Sequence, residues 1–187
     1  MKYNTDIHHR KSIRLKGFDY SNAGMYFLTI CTHNRESIFR DIVGAGYPCP
    51  LFTLPHLNRY GEIIQQYWHN ISNHFQNVVP NEFVIMPNHI HGIIKINPCT
   101  NQGGETPPLQ RKIPTLGQIV GYFKYQTTKT INQIDNCPGR PIWQRNYYEQ
   151  IILTETDYFK IAQYIKDNPQ NWYSDAENPC RGGVSPP

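Results

Sequence analysis

The middle of the chain constrains the fold most. EFVIM (82–86) and HIHGIIKI (89–96) are two apolar runs of strand length, rich in Ile, Val and Phe, joined by only Pro87-Asn88. Runs this short and this tightly joined read as an antiparallel hairpin. What precedes and follows it must then supply the remaining strands of a sheet and the helices that cover it.

Upstream, MYFLTICTH (25–33) follows a Ser-Asn-Ala-Gly turn and reads as a strand. Between Asn58 and about Phe75, Ile63, Ile64, Tyr67, Trp68 and Ile71 recur at three- and four-residue spacing, which predicts an amphipathic helix. Downstream, Leu116, Ile119, Val120, Phe123 and Ile131 repeat that spacing over 115–132, with Thr115 as N-cap. DNCPGRP (135–141) is a turn, IWQRNYYEQIIL (142–153) is a strand candidate, and Thr154 caps a last helix over 155–168 that Pro169 ends. The first six elements spell βαββαβ. The expected class is therefore α+β, a ferredoxin-like antiparallel sheet with helices on one face plus a C-terminal helix. That fold hosts RNA binders, metabolite enzymes and nucleases alike, so it leaves function open.

The length, 187 residues, suits one domain. The expected organisation is a basic arm over 1–20, one domain over 21–173 with Pro/Gly-rich loops at 44–55 and 97–110, and a flexible tail over 174–187. No apolar run approaches the roughly 18 residues of a membrane helix, and the polar N-terminus lacks the apolar core of a secretory signal. Five scattered cysteines, none in a C-x-x-C, read as free thiols in a reducing cytosol rather than as a disulfide or zinc framework. The net charge is +4. The first sixteen residues carry Lys2, Arg10, Lys11, Arg14 and Lys16 against Asp6 alone, which matches that whole excess. A basic arm beside a domain with 13% aromatic residues suits nucleic acid: cations displace counterions while rings stack on unpaired bases.

His89-Ile90-His91 is the sharpest local feature. On a strand, i and i+2 share a face with Cα atoms roughly 6.5–7 Å apart, so two imidazoles can converge on one divalent ion while Ile90 enters the core. A lone H-x-H is equally a pair of hydrogen-bonding histidines, and a third ligand is needed to decide. With Tyr158, Ile161, Ala162 and Ile165 as the buried stripe of the last helix, Tyr164 and Asn168 form an i, i+4 pair on its flank. A carboxamide oxygen can ligate a hard cation, and a phenolate beside that cation is a competent nucleophile on phosphorus. Tyr122 and Gln126 form a rival i, i+4 pair on the preceding helix, and spacing alone does not choose between them.

Four segments carry a resemblance: RLKGFDYSNAGMYFLTICTHNR (14–35), VIMPNHIHGIIKI (84–96), IWQRNYYEQIIL (142–153) and DYFKIAQYIKDNPQNW (157–172). Together they resemble the single-tyrosine transposases of the HUH nuclease superfamily, most closely the REP-associated tyrosine transposases of bacteria. The specific combination is MPNHIHG followed by YIxxNPxxW. The resemblance implies His89 and His91 as metal ligands, Asn168 as the third, and Tyr164 as nucleophile, which breaks the tie with Tyr122. Gln150 and Leu153 depart from the family, whose members tend to carry His and Arg there. The departures bear on strand-end DNA contacts, not on the metal–tyrosine core.

By the same resemblance one Mg²⁺ or Mn²⁺ would be the cofactor; two imidazoles lean toward Mn²⁺. The partner would be single-stranded or hairpin DNA, cleaved and rejoined through a 5′-phosphotyrosine with release of a 3′-OH. The enzyme would be a cytoplasmic, nucleoid-associated monomer or homodimer. Arg10, Lys11, Arg14, Lys16, Arg35, Lys124 and Arg145 are candidate phosphate contacts, and Trp143 is a candidate base-stacking residue or a core residue. Two other classes fit the same residues: a phosphoesterase in which water attacks, and a non-catalytic single-strand-binding module on this fold.

Overall fold

The computed structural model describes residues 23–40, 56–98 and 113–172. The basic arm, the loop at 44–55, all of 97–110 beyond residue 98, and the tail over 174–187 lie outside the described residues. The chain runs β1 (Gly24–Cys31), a 3-10 turn (His33–Arg35), α1 (Arg59–His69), α2 (Ile71–His74), β2 (Val78–Ile85), β3 (His89–Ile96), α3 (Leu116–Ile134), β4 (Tyr148–Ile152) and α4 (Glu155–Asp167). The four strands form one antiparallel sheet in the order β2-β3-β1-β4. The protein is thus an α+β domain with β1 and β3 at its centre. No described helix is long and apolar enough to cross a membrane. The two described cysteines, Cys31 and Cys137, are free thiols.

Strand alternation sorts the sheet into two faces. Tyr26, Leu28 and Ile30 of β1 and Ile90, Ile94 and Ile96 of β3 pack in one cluster with Ile63, Ile64 and Trp68 of α1 and Leu116, Ile119, Val120 and Phe123 of α3. Phe27 and Ile93, one residue out of phase, pack instead with Ile152 of β4 and Ala162 and Ile165 of α4. So α1 and α3 cover one face, and α4 lies on the other. Gly92 is the one place where the first face needs a missing side chain, because a Cβ there would sit 2.4 Å from the Trp68 ring.

The helix ends follow the expected chemistry. Asn58 Oδ1 accepts from the amides of Tyr60 and Gly61 at the start of α1. Thr115 and Gln118 form a reciprocal capping box on α3, and Thr154 Oγ1 accepts from the Asp157 amide on α4.

Four details differ from the sequence reading. The single helix expected from Asn58 to Phe75 breaks at Asn70, whose ψ of 3° leaves the helical region and whose side-chain amide turns back to the Gln66 carbonyl. The second strand begins at Val78 rather than Glu82 and runs through Pro80. This is tolerated because β2 is an edge strand and the register shifts by a bulge between Pro80 and Phe83. The last strand is shorter than 142–153 and spans only Tyr148–Ile152. Ahead of it only an isolated antiparallel bridge, Thr32 to Trp143, continues the pairing, and the Lys124 ammonium takes the carbonyls of Gln144 and Asn146 between that bridge and β4. Finally, α4 ends before Pro169 although Asn168 keeps right-handed helical geometry and its amide still bonds Tyr164 O. The proline stops the helix through its missing N–H, not by displacing the residue before it.

Candidate active site

The hairpin turn between β2 and β3 is fixed to the end of β1. The Pro87 carbonyl accepts from the amides of Ile38 and Phe39, and the Asn88 carbonyl accepts from the Thr32 amide. This anchors the first residues of β3, where His89 and His91 point to the α4 face and are 0% and 4% exposed. Their Nε2 atoms stand 3.0 Å apart.

Each ring is held from behind. Asn88 Nδ2 donates to the Arg35 carbonyl, which turns Asn88 Oδ1 toward His89 Nδ1 at 2.8 Å. An amide oxygen only accepts, so His89 carries its proton on Nδ1 and presents a bare Nε2. Burial, then the Arg35 cation, lower the His89 pKa to about 3, so the ring is neutral. His91 Nδ1 lies 2.8 Å from Thr29 Oγ1, its cross-strand partner in the β1–β3 register. The 3.0 Å contact then needs a proton on His91 Nε2, with Thr29 donating to His91 Nδ1. The Thr29 hydroxyl serves equally as acceptor when His91 is protonated on Nδ1 instead, the form that frees both Nε2 atoms.

The C-terminal half of α4 faces this pair. Tyr164 Oη is 3.3 Å from His91 Nε2, and its ring is 48% exposed. Phe27 stacks on His91 and meets the Tyr164 ring edge-on, at centroid separations of 5.5 and 6.1 Å. Eight residues after Tyr164, Trp172 packs 6.0 Å from His89. Asn168 lies midway between Tyr164 and Trp172 in the sequence, as the C-cap of α4. It is 3% exposed, and its Oδ1 is buried with no hydrogen-bond partner. An orphaned buried acceptor costs roughly 1–3 kcal/mol, which argues for a partner that completes it. Two imidazole nitrogens and a carboxamide oxygen are a donor set that suits Mn²⁺ or Mg²⁺. Among the described residues no group of three or more His, Cys, Asp or Glu gathers.

No family model matches the chain. An uncharacterised protein of Haemophilus influenzae is 42% identical over 183 residues, spanning 93% of this chain and 96% of that protein. The chain belongs to one family with it. Among solved structures, a REP-associated tyrosine transposase bound to a REP hairpin matches with a TM-score of 0.51. The match covers 84% of this chain and 73% of that one at 18% identity. The chain has the fold of a REP-associated tyrosine transposase.

Within this transposase fold the structure brings His89, His91 and Tyr164 together and leaves Tyr122 elsewhere. Tyr122 stacks face to face on His74 at the end of α2, with ring centroids 3.9 Å apart. Arg35 is exposed beside His89, and Arg145 is exposed ahead of β4. Lys124 is half-buried with its ammonium on two main-chain carbonyls, and burial lowers its pKa to about 8. Trp143 is in the core, between Phe39 and Phe123, with its indole N–H on Thr127. Arg10, Lys11, Arg14 and Lys16 lie outside the described residues. Sequence reasoning missed Thr29, Phe27, Asn88 and Trp172 as parts of the site. Asn88 and Trp172 stood in the MPNHIHG and NPxxW blocks, whereas Thr29 and Phe27 emerge only from the strand register.

Proposed function

We propose that the chain is a metal-dependent endonuclease and strand transferase for single-stranded DNA, of the HUH single-tyrosine type. It cleaves and rejoins DNA near hairpins such as REP palindromes. The observation that carries this reading is the Tyr164 phenol, half-exposed and 3.3 Å from one of two imidazole nitrogens that face each other across 3.0 Å. A ferredoxin-like βαββαβ order and a transposase of this fold bound to a REP hairpin support it.

In this reading His89, His91 and Asn168 hold one Mg²⁺ or Mn²⁺. The bound ion supplies Lewis-acid polarisation of the scissile phosphate and neutralises charge on the departing oxygen. Phe27 supports the Tyr164 ring from behind while its exposed edge meets the strand. The Tyr164 oxygen attacks phosphorus as its proton passes to solvent, so the Oη–P bond forms and the P–O3′ bond breaks. The products are a 5′-phosphotyrosine and a 3′-oxygen that takes up a proton. Rejoining is the reverse attack by a 3′-OH, and it needs no external energy because the phosphodiester energy is kept in the tyrosine ester. A half-exposed site on a sheet face suits an unpaired strand, which can bend and stack as duplex cannot. Arg35 and Arg145, with Arg10, Lys11, Arg14 and Lys16 of the arm, contact phosphates. The catalytic domain is a single unit over 21–173, acting in the cytoplasm at the nucleoid as a monomer or homodimer.

The test is incubation of the full chain with labelled hairpin oligonucleotides bearing single-stranded flanks, with Mn²⁺ or Mg²⁺. The expected result is an SDS-resistant adduct, present in wild type and Tyr122→Phe and lost in Tyr164→Phe, His89→Ala or excess EDTA. Cleavage without an adduct would assign the attack to water. Binding without cleavage would leave a binding module.

A further inference from the structure

A second site lies on the other side of the sheet. The outward flank of the C-terminal half of α3 and the turn over 136–141 border an open cleft of about 610 Å³. Tyr125, Lys129 and Asn132 line it from the helix at i, i+4 and i+7, and Pro138, Arg140 and Pro141 line it from the turn. The lining is mainly apolar and the prolines stiffen the turn.

Three features of this cleft go unused by the fold. Tyr125 is 63% exposed, a large ring with no ring partner among the described residues. Asn132 is 7% exposed. Its Nδ2 donates to the Arg140 carbonyl, but its Oδ1 is buried without a partner. Arg140 is bound to Asp135 through Nη2, while its Nε is buried and unpartnered. Two residues that each carry an orphan polar atom thus line one mainly apolar cleft, with the exposed Tyr125 ring on the same helix flank and the Lys129 cation one turn from that ring. Buried polar groups are seldom left in this state without a ligand to complete them. The Arg140 side chain is 39% exposed and lines the cleft while its guanidinium lies 5.9 Å over the Tyr60 ring.

We propose that this cleft binds an unpaired nucleotide. The base stacks on Tyr125, its edge offers an N–H to Asn132 Oδ1 and a carbonyl or ring nitrogen to Arg140 Nε, and Lys129 meets the phosphate. A planar ring with a donor and an acceptor on one edge and an anion attached matches all of these features together. A purely anionic ligand would use Lys129 alone and leave the orphans and the ring idle. The site is separate from the Tyr164 face, so it stands whether or not the chain cleaves DNA.

The test is an NMR titration of the ¹⁵N-labelled full chain with dAMP, dCMP, dGMP and dTMP in turn, and with 2-deoxyribose 5-phosphate as the anion-only probe. The expected result is saturable shifts at Tyr125, the Asn132 side-chain amide and Arg140 Nε–H with at least one nucleotide and not with the sugar phosphate. Tyr125→Ser, at an exposed position, should weaken that affinity about tenfold with an otherwise unchanged spectrum. Asn132→Asp should alter which nucleotide binds best. No shifts at these residues with any nucleotide, equal shifts with the sugar phosphate, or an affinity untouched by Tyr125→Ser would each overturn the proposal.

Discussion

The two faces of the sheet are built to different rules. The face under α1 and α3 is a continuous apolar layer of Tyr26, Leu28, Ile30, Ile90 and Ile94 against Ile64, Trp68, Ile119 and Phe123. The face under α4 has a small apolar patch of Phe27, Ile93, Ile152, Ala162 and Ile165. Beside that patch it buries two histidines and an asparagine whose oxygen has no partner. The same two strands supply both faces, one residue out of phase. One phase builds the packed apolar layer, whereas the other carries two histidines hydrogen-bonded to each other and an asparagine oxygen without a partner. On the proposed reading, the buried polar cluster of this face is where the ion would be held.

Substitutions on the first face should act on stability and spare the chemistry. Trp68→Ala removes a fully buried indole that stacks on Phe83, and should lower the unfolding free energy by about 3–5 kcal/mol in urea titrations. The milder Gly92→Ala forces a methyl into that indole and should cost roughly 1–3 kcal/mol, because a ring wedged in a packed layer cannot retreat. Either variant should bind divalent ion normally at temperatures where it remains folded.

Substitutions on the second face should act on metal binding first. His89→Ala should reduce Mn²⁺ affinity at least a hundredfold by calorimetry, and should also lower the metal-free melting temperature because it empties a buried site and leaves Asn88 Oδ1 without its partner. Loss of a direct ligand should exceed the 10- to 100-fold typical of outer-sphere partners, which is the effect expected for Asn88→Ala. Asn168→Leu sharpens the comparison further. It removes the orphaned acceptor, so the metal-free protein should be unchanged or up to about 1 kcal/mol more stable while Mn²⁺ binding weakens. A destabilised Asn168→Leu protein with full metal affinity would mean that Asn168 serves packing, and the contrast between the faces would fail there.

Much of this division was legible before the fold was known. The i, i+2 spacing of His89 and His91 placed them together and opposite Ile90, and the stripe Tyr158, Ile161, Ala162, Ile165 correctly gave the inward side of α4. The βαββαβ order followed from periodicity. What escaped were features decided by tertiary partners. Pro80 is admissible in a strand only because β2 is at an edge. The stretch before Tyr148 pairs with the end of β1 only at the Thr32–Trp143 bridge, and the carbonyls that follow turn to a lysine on another element. Thr29 meets His91 through a register that local sequence does not specify.

The smallest expected effect concerns how α4 is set in place. Thr154→Ala removes the N-cap and should cost about 1 kcal/mol, the same as Thr115→Ala on α3. The two should differ in function, since only α4 carries Tyr164. Metal-supported DNA cleavage should slow in Thr154→Ala and hold in Thr115→Ala at matched folded fraction.

The most direct measurement is peptide mapping by mass spectrometry of the protein after reaction with a single-stranded hairpin oligonucleotide and Mn²⁺, followed by nuclease trimming. The account predicts a 5′-linked nucleotide on Tyr164 and on no other tyrosine. Strand cleavage with every tyrosine unmodified, or a nucleotide carried by Tyr122 or Tyr148, would contradict it.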